Sequence, residues 1–70
     1  MPRRSRTDGL TSREVEILRR VASGLTNRQL AQELGVSTRT VDAHLRSVFA
    51  KLDVKSRSAA TRYAIEHQIV

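Results

Sequence analysis

The sequence contains no cysteine, a single proline and only two aromatic residues, Phe49 and Tyr63. Without cysteine, neither a disulfide nor a thiolate metal site can stabilise the chain, so helix packing has to stabilise it instead. Proteins that bind RNA or single-stranded nucleic acid stack bases on several aromatic side chains. Two isolated aromatic residues cannot form such a surface, and this favours duplex DNA among nucleic acids.

Long apolar runs are also absent. No stretch approaches the roughly 18 residues that a membrane-spanning helix needs. The basic residues 1–6 are not followed by the apolar segment of a secretory signal. We therefore expect a cytoplasmic protein with no membrane partner. The length of 70 residues is that of one small domain.

Negative charge is scarce relative to positive charge. Thirteen Lys and Arg residues against seven Asp and Glu give a formal net charge of +6. Such a balance predicts a polyanionic partner, of which nucleic acid is the commonest. Residues 1–9 contain Arg3, Arg4 and Arg6 and read as a flexible basic arm. This arm either contacts DNA or is only a linker, and anionic lipid is an alternative target for it.

Residues 10–70 show the pattern of successive helices. Three starts use the same capping device, a Ser or Thr with a polar partner three residues later: Thr11 with Glu14, Thr26 with Gln29, and Ser37 with Thr40. Apolar residues at helical spacing follow each start, and no strand pattern occurs. We predict an all-α fold of four helices, at about residues 11–23, 26–34, 37–52 and 57–68.

The second and third predicted helices form a helix-turn-helix. Only Gly35, Val36 and Ser37 separate them, and so short a turn forces a steep crossing. Ala31 supplies a small side chain at the crossing, and Gly35 tolerates a positive φ. An ordinary helical bundle without a ligand is the alternative. The side chains on the outer face of the third helix favour DNA binding instead, because they are short or basic: Thr38, Arg39, Asp42, Ala43, Arg46, Ser47, Ala50 and Lys51.

Four segments resemble the LuxR-type domain, the LuxR/FixJ/GerE group of bacterial transcription regulators. They are LTSREVEIL at 10–18, GLTNRQLA at 24–31, STRTVDAHL at 37–45 and KLDVKSRSAA at 51–60. The resemblance implies a four-helix domain that binds duplex DNA as a homodimer on an inverted repeat. It also implies that residues 37–51 enter the major groove, that the fourth helix forms the dimer contact, and that RNA polymerase is a candidate partner.

The resemblance also implies roles for individual residues. The positions that face bases are Asp42, Ala43 and Arg46. The positions that approach the DNA backbone are Thr26, Asn27, Ser37, Thr38, Arg39, Thr40, His44, Lys51 and Arg57. The positions of the dimer contact on the fourth helix are Ala60, Tyr63, Ala64 and His67, although Tyr63 could equally complete the core of the monomer.

Two residues depart from the family's pattern. Lysine is frequent in the family where this chain has Asp42, and a carboxylate there repels phosphate unless it has a partner. It either accepts a hydrogen bond from cytosine N4 or pairs with Arg39 or Arg46, and helix spacing favours the second alternative. Glycine is common where this chain has Asp53, so we expect a less sharply turned helix end there.

Two other functions are compatible with a helix-turn-helix fold. A protein-interaction module that docks through its fourth helix is one alternative, and the promoter-reading region of a sigma factor is another, although residues 51–60 argue against it. The sequence shows no nucleophile and base arranged as in a catalytic site. His44 and His67 are far apart in the sequence and no cysteine accompanies them, so they do not suggest a metal site. We therefore expect no enzymatic activity, cofactor or metal. The chain is either a free-standing regulator or one domain of a larger one.

Overall fold

The computed structural model describes residues 9–69, which form four α-helices and no strand. The helices are α1 (Ser12–Ala22), α2 (Asn27–Leu34), α3 (Thr38–Leu52) and α4 (Arg57–Glu66). The predicted all-α, four-helix fold is confirmed. The predicted ranges of the first three helices included capping residues, and α4 ends two residues earlier than predicted. The arm that carries Arg3, Arg4 and Arg6 lies outside the described residues.

The starts of α1 and α2 are capping boxes. Thr11 Oγ1 accepts a hydrogen bond from the Glu14 backbone N–H at 3.1 Å, and Glu14 Oε1 accepts one from Thr11 N at 2.9 Å. Thr26 and Gln29 repeat the arrangement with distances of 3.1 and 2.8 Å. Each box satisfies two backbone donors that a bare helix end would leave without a partner, and a capping side chain is worth about 1 kcal/mol.

All four helices end in the same way. A residue with positive φ follows the last turn in each case: Gly24, Gly35, Asp53 and Gln68. The apolar residue that comes next donates its N–H to a carbonyl five positions back, in the Schellman pattern; these residues are Leu25, Val36, Val54 and Ile69. The expectation of a less sharply turned end at Asp53 is wrong, because Asp53 adopts the left-handed conformation itself, with φ 57° and ψ 45°.

The core consists of two clusters of buried residues that share Phe49. The first cluster lies between α1, α4 and the C-terminal half of α3, and contains Leu10, Leu18, Val48, Leu52, Ala60, Ala64 and Ile69. The second lies between α1, α2 and the N-terminal half of α3, and contains Ile17, Val21, Leu30, Ala31, Val41 and Leu45. Phe49 packs against both. As a result α3 is supported along its whole length, with its remaining face open. None of the helices in residues 9–69 is long and apolar enough to cross a membrane.

Candidate nucleic-acid interface

The turn between α2 and α3 determines how α3 is presented. Gly35 has φ 69°, and the Val36 N–H then bonds Ala31 O at 3.0 Å. Val36 packs against the second cluster, in which Val41 is fully buried. Ala31, almost completely buried, lies in the same cluster. The helix-turn-helix predicted for residues 26–52 is therefore present, with the small residue and the glycine in the predicted places.

The start of α3 is capped by hydroxyl groups. Ser37 Oγ accepts from the Thr40 backbone N–H at 3.1 Å, and the two side-chain hydroxyls lie 3.1 Å from each other. A threonine in place of Glu or Gln therefore makes only half of a capping box, because its hydroxyl bonds the Ser37 side chain rather than the Ser37 N–H. One of the two hydroxyl protons is left to donate outward.

The outer face of α3 is exposed and carries short or basic side chains. We call these residues the α3 face: Thr38, Arg39, Asp42, Ala43, Arg46 and Ala50, all of which are exposed. The two alanines leave the helix backbone accessible to a close surface. Thr38 and Arg39 lie in the first turn and Arg46 in the third. The predicted base-reading residues, Asp42, Ala43 and Arg46, thus share one open surface.

Asp42 forms no ion pair with Arg39 or Arg46 in this structure. The ion pairs within residues 9–69 involve other carboxylates. The interpretation that Asp42 pairs with Arg39 or Arg46 and orients them therefore stays a prediction. Its carboxylate lies exposed on the α3 face, where it can accept a hydrogen bond from a base.

Acidic side chains neutralise cations elsewhere on the domain. Among residues 9–69, ion pairs join Arg13 to Glu16, Arg20 to Glu33 and Lys51 to Glu14. Within the same range, no ion pair involves these basic residues: Arg28, Arg39, Arg46, Lys55 and Arg62. The α3 face therefore keeps its positive charge, although it also carries Asp42.

Glu14 is the only buried charged residue among the described residues. Its Oε1 accepts from Lys51 Nζ at 2.8 Å as well as from Thr11 N, and its Oε2 accepts from Ser47 Oγ at 2.7 Å. Burial raises the pKa of Glu14, but the hydrogen bonds from Lys51, Thr11 and Ser47 and the charge of Lys51 outweigh it and lower the pKa to about 2. The carboxylate stays ionised and ties α1 to α3.

Arg57 is engaged inside the fold as well. Its Nη1 donates to Asn27 Oδ1 at 2.7 Å, and its Nη2 donates to Leu25 O at 2.6 Å. These bonds join the start of α4 to the start of α2. Lys51 and Arg57 were both expected to flank phosphates, and for each this stays a prediction. The structure adds that both cationic ends have partners in the protein.

Apart from His44, the other residues predicted to approach the DNA backbone lie at the starts of α2 and α3. Thr26 is exposed at the α2 cap, and its hydroxyl proton is free to donate because only the oxygen is used by Gln29 N. Asn27 is half-buried and accepts from Arg57. His44 is half-buried on the side of α3.

The structure corrects the predicted dimer contact on α4. Ala60 and Ala64 are fully buried in the first cluster of the same chain, so neither has surface left for a partner. Tyr63 is half-buried and packs partly on that cluster. Its ring stacks on the exposed His67, with ring centroids 3.9 Å apart. Ile65, which is 59% exposed, is the large apolar side chain that α4 turns to solvent.

The described residues contain no group of three His, Asp or Glu side chains that could hold a metal ion. What sequence reasoning missed is the Glu14, Ser47 and Lys51 cluster. Glu14 was interpreted only as a capping residue, and Ser47 only as a short side chain on the outer face. The two residues are 33 positions apart, and a helical pattern carries no information about such a pairing.

Comparison with known proteins identifies the family. The family model described as bacterial regulatory proteins, luxR family, matches residues 8–64. The chain belongs to this family. The LuxR-type resemblance of the four sequence segments is thereby confirmed, and the domain is an all-α helix-turn-helix domain of the kind found in DNA-binding transcription regulators.

Individual relatives of this LuxR-family domain include response regulators and a transcriptional regulatory protein. It is 50% identical over 54 residues to a nitrate/nitrite response regulator protein homolog of Haemophilus influenzae, covering 77% of the chain and 26% of the relative. It is 40% identical over 63 residues to the transcriptional regulatory protein LiaR of Bacillus subtilis, covering 90% and 30%. The solved response regulator ChrA, of a heme-sensing two-component system, matches with a TM-score of 0.82 and 42% identity, over 89% of this chain and 31% of that one. The chain thus spans less than a third of each of these relatives.

Proposed function

We propose that this LuxR-family domain binds duplex DNA in a sequence-specific manner to regulate transcription, with α3 in the major groove. The observation that carries the proposal is the α3 face, which is exposed, short-chained and positively charged. The major groove of B-DNA admits a helix of this size. Two relatives, a nitrate/nitrite response regulator protein homolog and a transcriptional regulatory protein, support a regulatory role.

Within this proposal Asp42, Ala43 and Arg46 contact bases. Arg46 is the strongest candidate, since a guanidinium that bonds guanine O6 and N7 is the commonest specific contact. Its side chain is exposed and has no ion pair among the described residues. Ala43 allows close approach and can touch a thymine methyl group, and Asp42 can accept from cytosine N4.

The backbone contacts come from the capped helix starts. The hydroxyls of Thr26 and Thr38, and the one of the Ser37 and Thr40 pair that keeps a free proton, are donors suited to phosphate oxygens. The N-terminus of a helix itself favours an anion. Arg39 adds a cation at the start of α3, Asn27 is the first residue of α2, and His44 lies in the second turn of α3. Such contacts fix the register of the protein on the duplex but do not read sequence.

A homodimer on an inverted repeat is part of the proposal. Tyr63 and His67 are the predicted contact residues that are not fully buried, and Ile65 is a further exposed apolar side chain of α4 that a second copy could cover. Sedimentation equilibrium of the chain with a palindromic duplex should give two chains per duplex. Ile65→Asp should convert this to a weaker 1:1 complex, and a wild-type complex that is strictly 1:1 would refute the dimer.

Because the proposed ligand is DNA, we place the protein in the cytoplasm, where bacterial DNA is found. RNA polymerase is proposed as a further partner.

The central test is selection of bound sequences from a random duplex library, followed by titration of the selected duplex across salt. We expect a defined half-site and an affinity that falls linearly with salt on a logarithmic scale. Absence of binding at about 50 mM salt would favour a protein-interaction module instead.

A further inference from the structure

The buried carboxylate of Glu14 holds the C-terminal half of α3 from the side. Ser47 and Lys51 lie one helical turn apart on α3 and reach opposite oxygens of this single carboxylate, at 2.7 and 2.8 Å. The third bond, from Thr11 N at 2.9 Å, joins the same group to the start of α1. One side chain therefore fixes two successive turns of α3 against α1.

These two turns border the α3 face. Ser47 and Lys51 immediately follow Arg46 and Ala50, which are exposed. Any rotation of α3 that moved Ser47 away from Glu14 would also change the direction of Arg46. Buried hydrogen bonds to a charged group are among the stronger polar contacts, and losing one partner leaves the other unsatisfied. The rotational setting of α3 therefore depends on Glu14.

The same contacts change the role of Lys51. Its Nζ lies 2.8 Å from a carboxylate oxygen, so its charge is neutralised within the protein. A cation contributes to the salt dependence of DNA binding when it replaces counterions at a phosphate. A lysine already paired with a buried carboxylate brings little net charge to the duplex.

We propose that Glu14 is a positioning residue for DNA binding that acts through Ser47 and Lys51. In this proposal Lys51 binds the Glu14 carboxylate and does not contact a phosphate. This inference rests on the proposed function. It assigns a step in DNA recognition to a residue that does not itself reach the DNA.

The test compares variants on the selected duplex and on a random duplex, across salt, after thermal melting has shown each to be folded at the assay temperature. Glu14→Gln should weaken binding of the selected duplex by about tenfold, while binding of the random duplex changes by less than about threefold. Lys51→Met should also lower the affinity for the selected duplex by about tenfold. It should leave unchanged the slope of log affinity against log salt concentration, which we call the salt slope. The double variant should be little worse than either single variant, because the two residues act as one unit.

Matched controls separate the possible failures. Glu33→Gln breaks an ion pair of equal length, 2.8 Å, between α1 and α2; it should leave affinity and slope unchanged. Arg39→Met should reduce the slope by about 0.9, as loss of one phosphate contact does. If Lys51→Met reduces the slope by that amount too, or if Glu14→Gln weakens both duplexes equally, the positioning role is overturned. If the wild-type chain binds neither duplex, the proposed function fails instead.

Discussion

Arg57 Nη1 donates a hydrogen bond to Asn27 Oδ1 over 2.7 Å, although the two residues are 30 positions apart in the chain. The second guanidinium nitrogen donates to Leu25 O at 2.6 Å. Together these bonds hold the beginning of α4 on the beginning of α2, beside the cap residue Thr26. The guanidinium therefore fixes the position of the α2 N-terminus within the fold.

Arg57→Met should destabilise the domain by about 1–3 kcal/mol, because two partly buried acceptors lose their donor. For a domain of this size, 1 kcal/mol corresponds to about 4–8 °C in Tm, so thermal melting resolves the effect. Arg62→Met is the matched control, since Arg62 is exposed; it should cost less than about 0.5 kcal/mol. Equal melting temperatures for the two variants would show that the Arg57 contacts contribute nothing to stability.

The parts of the fold that the sequence predicts are those determined by residues close together in the chain. The capping pairs Thr11 with Glu14 and Thr26 with Gln29 are three residues apart, and the structure contains both. The bonds from Arg57 to Asn27 and from Ser47 to Glu14 span 30 and 33 residues. Composition shows that Arg57 is charged but not which partner the fold brings to it.

Sequence could not tell whether the alanines of α4 lie in the core or at a dimer contact, and the physical reason is different. Alanine packs equally well in a core and at a contact between two helices, so the pattern of Ala60 and Ala64 does not tell the two apart. The end of α4 was misplaced because Gln68, rather than glycine, adopts the positive φ of 54°. The large apolar residues of α3 leave one clear outer side, so the pattern predicted the exposed positions of the α3 face. It also placed Ser47 there, and Ser47 is half-buried and bonded to Glu14.

Stability should fall in acid through Glu14. Its pKa is about 2 in the folded protein against 4.5 as the ordinary value. Ionised Glu14 therefore contributes about 3 kcal/mol to the free energy of unfolding above about pH 5, and this contribution is lost as the pH falls towards 2. Urea unfolding between pH 2 and 6 should show a shallower pH dependence for Glu14→Gln than for the wild type. Glu16→Gln, which alters an exposed carboxylate 3.7 Å from Arg13, should keep the wild-type dependence.

Asp53→Gly should stabilise the domain by up to about 1 kcal/mol. Asp53 has φ 57° at the C-terminal cap of α3, where glycine has no steric penalty. The substitution also removes a negative charge from a helix C-terminus, where the helix dipole disfavours it. Urea unfolding measures the change. Asp53→Ala is the control and should be less stable than the wild type, and a glycine variant no more stable than the alanine variant would contradict the argument.

Arg46→Ala should cost about 1–3 kcal/mol of binding to the selected duplex and relax the preference at one base pair. Arg62→Ala removes an equal charge from α4 and should change affinity only slightly. Both variants should remain as stable as the wild type, since both side chains are exposed. Selection from a random duplex library with each variant measures the preferences directly. If Arg46→Ala selects the same sequence with the same affinity, Arg46 does not read a base.

Asp42→Ala separates the two roles considered for Asp42. Because the carboxylate has no ion pair with Arg39 or Arg46 in this structure, we expect it to read a base on its own. The variant should then lose preference at a base pair other than the one that depends on Arg46. Binding to a random duplex should strengthen roughly twofold to fivefold, because a negative charge near phosphates has been removed. Relaxation at the same base pair as in Arg46→Ala would instead mean that Asp42 pairs with Arg46 when DNA is bound, and acts by orienting it.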